Sequence, residues 1–183
     1  MERKNGPWII KDTVLKYKNS WIEVNEDQVI RPDGKPGIFG VVKMIEGACV
    51  LPIDDQGFVY LTEEFRYALG RSSIEAAGGA VDPGEEPLTA AMRELKEELG
   101  IKAEEWIDLG IVNPFTSVIY SPSQLFLAKK LSFSKTKREG TEIITLRKMR
   151  LEQAVRMVLE SKITAGPTSV LILKAAHYMK KFK

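Results

Sequence analysis

Three glutamates, Glu94, Glu97 and Glu98, lie three and four positions apart in the stretch GGAVDPGEEPLTAAMRELKEELGI, residues 78–101. In a helix, residues at these offsets share one face, so the three carboxylates would crowd one small volume. Like charges at close range disfavour joint ionisation unless a cation compensates them. Mg²⁺ and Mn²⁺ prefer oxygen ligands and bridge readily to phosphates. The spacing is therefore typical either of a divalent-metal site for phosphate chemistry or of a solvated helix face neutralised by neighbouring Arg and Lys.

The apolar residues around these glutamates predict the helix that must carry them. Four positions recur at helical spacing: Leu88, Ala91 or Met92, Leu95 and Leu99. Pro87 suits the first helical position and Gly100 the position just past the end. We therefore predict a helix over residues 87–99, preceded by a Gly-rich loop at 78–84.

The rest of the chain mixes strand and helix patterns. Residues 13–45 carry β-rich segments separated by the turn sequence RPDGKPG, which predicts an antiparallel meander. The sequence DDQG between ACVLPI and FVYLTEEF predicts a hairpin. Further segments are predicted as strands near 107–113, 123–129 and 142–147 and as helices at 151–161 and about 167–181. This mixture indicates an α/β or α+β domain.

Composition narrows the class of protein. The 183 residues are 44% hydrophobic with a net charge of +2, which suits one globular domain, or one domain with a small appendage. Basic residues are interspersed up to a short tail of lysines, so nucleic-acid binding has little support. No run of about 18 apolar residues could span a membrane. The single cysteine, Cys49, cannot form an intrachain disulfide, and a soluble, cytoplasmic protein is expected.

The context of the predicted helix matches a family pattern at every fixed position. Residues 79–101 resemble the Nudix box, G-x5-E-x7-R-E-U-x-E-E-x-G-U, where U is a bulky aliphatic residue. The matching residues are Gly79, Glu85, Arg93, Glu94, Leu95, Glu97, Glu98, Gly100 and Ile101. Nine specified positions at fixed spacing are far more specific than a lone glycine motif.

The resemblance implies a fold and a domain division. The fold would be the Nudix fold of the α/β class, an α/β/α sandwich around a mixed sheet, with an appendage of N-terminal antiparallel strands. Residues 1–45 would form that N-terminal β meander and contribute to dimerisation and to the substrate pocket. Residues 46–183 would form the Nudix hydrolase domain.

The resemblance also assigns metal ligands. Glu94 and Glu98 would be the principal ligands of Mg²⁺ or Mn²⁺, with two or three ions bound. Glu97 would be a further ligand or a base acting on water. The backbone carbonyl near Gly78 would supply one more oxygen.

Other box residues would act indirectly. Arg93 would orient carboxylates, with Glu85 and Glu97 as its partners, since an Arg fork suits this role better than Lys would. Gly79 and Gly100 would set the shape of the backbone.

The implied chemistry is attack of a metal-activated water on one phosphorus of a pyrophosphate, with no covalent protein nucleophile. The only histidine, His177, falls on an amphipathic pattern in the last predicted helix. It is interpreted as a structural or surface residue.

Three further stretches resemble the ADP-ribose pyrophosphatase branch of the family: WIEVNEDQVIRPDGKPGIFGVV, EEFRYALGRSSIEAAGG and SQLFLAKKL. By this resemblance Arg66 would contact the substrate's phosphates or distal ribose; the alternative is a strand-end charge paired with Glu63 or Glu64. Glu75 would be an extra ligand or orienting group. Trp21 would stack on adenine, although a Trp in a strand is as often a core or interface residue. Members of this branch form homodimers, so a homodimer is expected.

The chain also departs from that branch. Ala77 stands where the branch has proline, and no carboxylate lies between Asp108 and Glu139 to serve as the usual loop base. Glu139 or Glu142 is the nearest replacement; otherwise Glu97 must act as the base.

The leading function is Mg²⁺-dependent hydrolysis of ADP-ribose to AMP and ribose 5-phosphate. Two alternatives stay open. One is a Nudix hydrolase for another substrate, such as GDP-mannose, a dinucleotide or an oxidised nucleotide. The other is a nucleotide-binding module without catalysis.

Overall fold

The computed structural model describes residues 2–134 and 143–181. These residues form strands, one short 3-10 helix and three α-helices. In chain order they are β1 (Arg3–Asn5), β2 (Trp8–Lys18), β3 (Ile22–Ile30), β4 (Pro36–Met44), β5 (Gly47–Pro52), β6 (Phe58–Arg66), the 3-10 helix (Tyr67–Leu69), β7 (Arg71–Glu75), β8 (Ala77–Ala80), α1 (Pro87–Leu99), β9 (Ile101–Val112), β10 (Ile119–Tyr120), β11 (Ser123–Phe133), β12 (Thr145–Arg150), α2 (Leu151–Leu159) and α3 (Gly166–Lys181).

The chain divides into two compact units. The first contains the residues up to Ile45 together with Phe115–Ser121, and the second contains Glu46–Pro114 and the described residues from Pro122 onward. The first unit is a single five-stranded sheet in the order β1-β2-β3-β4-β10. Its first four strands are antiparallel, and β10 joins parallel to β4.

The turn chemistry of the sequence explains the connections in the first unit. Ile30 pairs with Pro36, so RPDGKPG closes the link between β3 and β4 as predicted. In this turn Gly34 takes a φ of 80°, which glycine adopts without steric cost. Asp33 accepts a hydrogen bond from the backbone N–H of Lys35. The predicted antiparallel meander is confirmed.

The second unit contains two sheets. A four-stranded mixed sheet has the order β8-β5-β11-β9, in which β5 and β11 are parallel and the other pairs are antiparallel. A three-stranded antiparallel sheet has the order β12-β6-β7.

Helices cover the two faces of the mixed sheet because successive strand side chains point to opposite sides. Val50 and Phe126 belong to one core cluster, and Leu51 and Leu127 to the other. The first cluster includes the apolar face of α1, and the second includes that of α3. The predicted α/β/α sandwich around a mixed sheet is confirmed.

The helix predictions agree closely with the structure. The predicted helix at 87–99 is α1, with the same bounds, and Gly100 ends it at a φ of 65°. Helix α2 ends two residues earlier than predicted, and α3 begins one residue earlier. No helix in the described part of the chain is long and apolar enough to cross a lipid bilayer.

The predicted hairpin and the predicted start of the Gly-rich loop were wrong. A turn does form at DDQG, where Gly57 donates a backbone hydrogen bond to Asp54, but β5 and β6 then enter different sheets. Only an isolated bridge between Ile53 and Val59 joins the two sides of the predicted hairpin. The Gly-rich segment was predicted as loop from residue 78, whereas Gly78 and Gly79 lie in β8 and pair with β5.

Candidate active site

Helix α1 carries its three glutamates at different depths. The buried residues of the helix are Ala90, Ala91, Leu95, Glu98 and Leu99. Glu98 is therefore buried within the apolar face itself, at 7% exposure. The side chain of Glu94, one turn earlier, is 14% exposed, while that of Glu97 is 42% exposed. The three carboxylates thus differ in how much water they can reach.

Strand β8 lies directly against the carboxylates of Glu94 and Glu98. It is one of the two edge strands of the mixed sheet, so some of its backbone N–H groups have no strand partner. The N–H of Gly78 donates to Oε2 of Glu98 at 3.3 Å. A polar backbone group at the sheet edge and a buried carboxylate therefore satisfy each other.

Two glycines make this close approach possible. A Cβ added at Gly79 would lie 2.3 Å from Oε1 of Glu94. A Cβ added at Gly78 would lie 2.2 Å from the carbonyl oxygen of Ala48. The glycines are needed because carboxylate and strand leave no space for a side chain.

Arg93 ties the carboxylates together. Its Nε and Nη2 donate to the two oxygens of Glu85 at 3.2 and 3.1 Å, and its Nη1 donates to Glu94 at 2.6 Å. The same Nη1 lies 3.6 Å from Glu97, and Nη2 also donates to the carbonyl of Ala80 at 3.1 Å. The structure thus brings Arg93 to both of its predicted partners, and also to Glu94 and to β8.

Arg93 and its glutamate partners stabilise each other's charged forms. The hydrogen bond to Glu85, followed by the bond to Glu94, raises the pKa of Arg93 although burial opposes it. The hydrogen bond from Arg93 and one from the backbone N–H of Asp82 lower the pKa of Glu85. Both groups are therefore charged at neutral pH.

A second ion cluster lies on the β6–β7 hairpin and joins the end of β6 to the end of β7. Nη1 of Arg66 lies 2.8 Å from Glu64, and its Nη2 donates to Glu75 at 2.9 Å. Burial disfavours the charge on Arg66, but the bond to Glu75 and the fields of Glu75, Glu64 and Glu98 raise its pKa. Glu75 is three residues from Gly78, whose N–H binds Glu98, so this cluster lies next to Glu98. The ion pair with Glu64 is one of the two strand-end pairings that the sequence offered as the alternative role of Arg66.

Three candidate residues remain: Trp21, Glu139 and Glu142. Trp21 belongs to the first unit and is 66% exposed, so it is not a core residue; its backbone N–H donates to the side chain of Asn19. Glu142, the predicted loop base, and Glu139 lie outside the described residues.

Cys49 and His177 show no arrangement for covalent catalysis. Burial, together with the negative charges of Glu75 and Glu98, raises the pKa of the Cys49 thiol to about 12. The thiol is therefore protonated and a poor nucleophile at neutral pH. His177 is exposed on α3, in keeping with its interpretation as a surface residue.

The donor atoms fit a hard divalent cation in kind. Glu94 and Glu98 bring carboxylate oxygens to adjacent glycines of β8, and oxygen ligands are those that Mg²⁺ and Mn²⁺ prefer. Within residues 2–134 and 143–181, no three Asp, Glu, His or Cys side chains converge closely enough to hold an ion by themselves. The residues present could therefore bind a cation only with help from water, backbone or substrate oxygens, as is usual for Mg²⁺.

Comparison with known proteins decides the family. The model of the NUDIX domain matches residues 44–168, which is more than half of the chain. The chain belongs to the Nudix family. The model described as the nucleoside diphosphate sugar hydrolase N-terminal domain matches residues 6–42.

Individual proteins of known name are also similar to this chain. An ADP-ribose pyrophosphatase of Bacillus subtilis is 30% identical over 164 residues, covering 85% of each chain. A methanol dehydrogenase activator of Bacillus methanolicus is 26% identical, covering 82% of this chain and 83% of the relative. The crystal structure of an ADP compounds hydrolase shares the fold at a TM-score of 0.84 and 18% identity, covering 94% of both chains. The prediction of a Nudix hydrolase is confirmed.

Proposed function

We propose that this Nudix hydrolase cleaves the pyrophosphate bond of a nucleoside diphosphate joined to a sugar. The proposed substrate is ADP-ribose, and the products are AMP and ribose 5-phosphate. Two findings support this choice: the relative named ADP-ribose pyrophosphatase covers most of the chain, and the N-terminal residues match a model of nucleoside diphosphate sugar hydrolases.

One observation carries the proposal. The buried carboxylate of Glu98 and the largely buried carboxylate of Glu94 lie against Gly78 and Gly79, with Arg93 holding Glu94 in place. Carboxylate oxygens gathered at a sheet edge are ligands that a hard divalent cation prefers, beside the protein contacts they already make. We assign Glu94, Glu98, Glu97 and the carbonyl of Gly78 as the oxygen donors for two or three Mg²⁺ or Mn²⁺ ions.

The residues of the chain have distinct tasks in hydrolysis. When bound, a divalent cation lowers the pKa of water and neutralises phosphate oxygens. Glu97 is the most exposed carboxylate of the three and is assigned as the base that takes a proton from the attacking water. The oxygen of that water joins one phosphorus while the bridging oxygen leaves with the other phosphate. Glu142 is the alternative base.

Arg66, Glu75 and Trp21 are assigned to substrate binding. Arg66 is positively charged and 40% exposed in its side chain, so it can meet a diphosphate while Glu64 and Glu75 hold its guanidinium. Trp21 is an exposed aromatic group suited to stacking on a base.

We further propose that the protein acts as a cytoplasmic homodimer. Supporting this, every residue of β2 from Lys11 to Lys18 is exposed, including Val14, Leu15 and Tyr17. Neighbouring residues of a strand face opposite sides, so both sides of β2 are uncovered in one chain. A second copy that covers these strands would bury that apolar surface.

The proposal is tested by a substrate panel. Purified protein is given ADP-ribose, GDP-mannose, an adenine dinucleotide or an oxidised nucleoside triphosphate, with Mg²⁺ or with EDTA, and the nucleotide products are separated by chromatography and measured. We expect AMP from ADP-ribose with Mg²⁺ only. Cleavage of another compound but not of ADP-ribose would make that compound the substrate. Nucleotide binding without any product would indicate a binding module.

A further inference from the structure

A single residue joins the two sheets of the second unit at the candidate active site, and the Glu75–Ala76 peptide group leads from one sheet towards the other. The chain leaves the three-stranded sheet at Glu75, the last residue of β7, and enters the four-stranded sheet at Ala77, the first residue of β8. Ala76 lies between them and belongs to neither ladder. Its backbone N–H is buried and therefore needs a partner from elsewhere.

Two buried threonine hydroxyls bond to the two ends of the Glu75–Ala76 peptide group. Oγ1 of Thr62 donates to the carbonyl oxygen of Glu75 at 3.1 Å. The N–H of Ala76 donates to Oγ1 of Thr168 at 3.0 Å. Both threonines are 3% exposed, one on β6 and the other in the first turn of α3. Because the peptide group is planar, fixing its two ends fixes its orientation.

The held peptide lies between two groups of the site. On one side, Glu75 binds the guanidinium of Arg66 at 2.9 Å. On the other, two residues along the chain, the N–H of Gly78 donates to Glu98. Rotation of the peptide plane would change the direction of both, and alanines at 76 and 77 impose no ring restriction on it.

We propose that Thr62 and Thr168 are positioning residues that set Glu75 and Gly78 relative to Glu98 by holding the Glu75–Ala76 peptide. Both hydroxyls bond to the peptide group itself, so we infer that they act on the site through the backbone. The consequence for turnover rests on the proposed function. The consequence for metal binding and for the Ala76 amide does not depend on the choice of substrate.

The test replaces each hydroxyl by a methyl of similar size. Thr62→Val and Thr168→Val keep the shape of the side chain and remove the hydrogen bond, whereas Thr62→Ser and Thr168→Ser keep the hydroxyl. We expect each valine variant to bind Mn²⁺, followed by electron paramagnetic resonance, about 10-fold more weakly, as when partners that orient a metal ligand are lost. Its kcat should fall by a similar factor with KM changed less than about threefold, and serine should restore both.

Thr164→Val is the matched control. Thr164 accepts a hydrogen bond from Arg71 near α3 but is exposed, so its loss should leave Mn²⁺ binding and kcat unchanged. Folded valine variants at 62 and 168 that keep wild-type Mn²⁺ affinity and kcat would overturn the proposal.

Hydrogen exchange provides a measurement that needs no variant to fold. The amide of Ala76 in the wild type should exchange as slowly as the buried amides of β6, and exchange at the rate of an exposed loop amide would overturn the proposal. A wild type that fails to cleave ADP-ribose would instead contradict the proposed function, and Mn²⁺ affinity and amide exchange would still decide the role of the threonines.

Discussion

At the scale of single residues, Glu98 combines burial with a hydrogen bond to a backbone N–H of β8. Glu98→Gln keeps the size of the side chain and removes its negative charge. We expect kcat for the proposed reaction to fall at least ~10²-fold, the scale observed when a group that acts mainly on the transition state is removed. Initial rates at saturating ADP-ribose and Mg²⁺ provide the measurement.

Glu104→Gln is the control for that variant. Glu104 is exposed on β9, so the same chemical change there should leave kcat unchanged. A Glu98→Gln enzyme with wild-type turnover would remove Glu98 from the metal site.

Glu85 carries a prediction about pH. Its pKa in the folded protein lies below the ordinary value of 4.5 because Arg93 and the N–H of Asp82 bind its charged form. A carboxylate whose pKa is lower in the folded protein than in the unfolded chain stabilises the fold when the pH is above the unfolded pKa. This stabilisation is lost as the pH falls through the folded pKa. The thermal midpoint of Glu85→Gln should therefore lie below that of the wild type at pH 7.

That difference in thermal midpoint should shrink as the pH falls below 4.5. Scans of both proteins from pH 7 to pH 3 measure it. A gap that stays constant across this range would show that the charge of Glu85 is not what stabilises the fold.

The residues of the box could be found from sequence because they lie within one short segment. Helical spacing alone places Arg93, Glu94, Glu97 and Glu98 near one another. Thr168 could not be found in this way, since only the packing of α3 against the sheet brings it to Ala76. The sequence also could not tell whether Glu63 or Glu64 pairs with Arg66, because that depends on which side of β6 each side chain faces.

At the scale of elements, β8 depends on its glycines. In Gly79→Ala the new methyl would displace the carboxylate of Glu94, which is a flexible group. We expect this variant to fold with kcat reduced about 10-fold or more, because a proposed metal ligand moves. Activity and the thermal midpoint, measured together, separate the two effects.

Gly78→Ala should lower the thermal midpoint more than it lowers kcat. Its methyl would meet the backbone of Ala48, which cannot move without disturbing β5. Overpacking costs about 1–3 kcal/mol, and each kcal/mol lowers the thermal midpoint by roughly 2–4 °C in a chain of this size. Gly166→Ala, where an added methyl meets nothing within 4 Å, serves as the control for both variants.

Elements with a strong local signal were predicted best. Helix α1 has a proline at its start, a glycine at its end and an apolar face between them, and its bounds were correct. The DDQG hairpin was wrong because the turn is local while the choice of sheet is not. Strand β8 was missed because glycine-rich sequence indicates a loop unless a close neighbour requires the absence of a side chain.

At the scale of the whole molecule, the proposed dimer gives a mass prediction. Light scattering during size-exclusion chromatography should report twice the chain mass of 20.5 kDa. Leu15→Glu places a charge on the exposed surface of β2 and should yield the single-chain mass, because burying an unpaired charge is costly.

Leu159→Glu is the corresponding control, since Leu159 is equally apolar and 72% exposed but lies on α2. It should remain dimeric. A wild type that is a single chain at tens of micromolar would contradict the dimer.

The mixed sheet also has a consequence for the order of folding. Strand β8 rests on β5, and β5 pairs in parallel with β11, which follows much later in the chain. Contacts between distant parts of a chain form slowly, whereas helices form early. A renaturing chain would thus regain its helical circular dichroism before Glu98 reaches the strand it binds, and catalytic competence would be among the last properties to return.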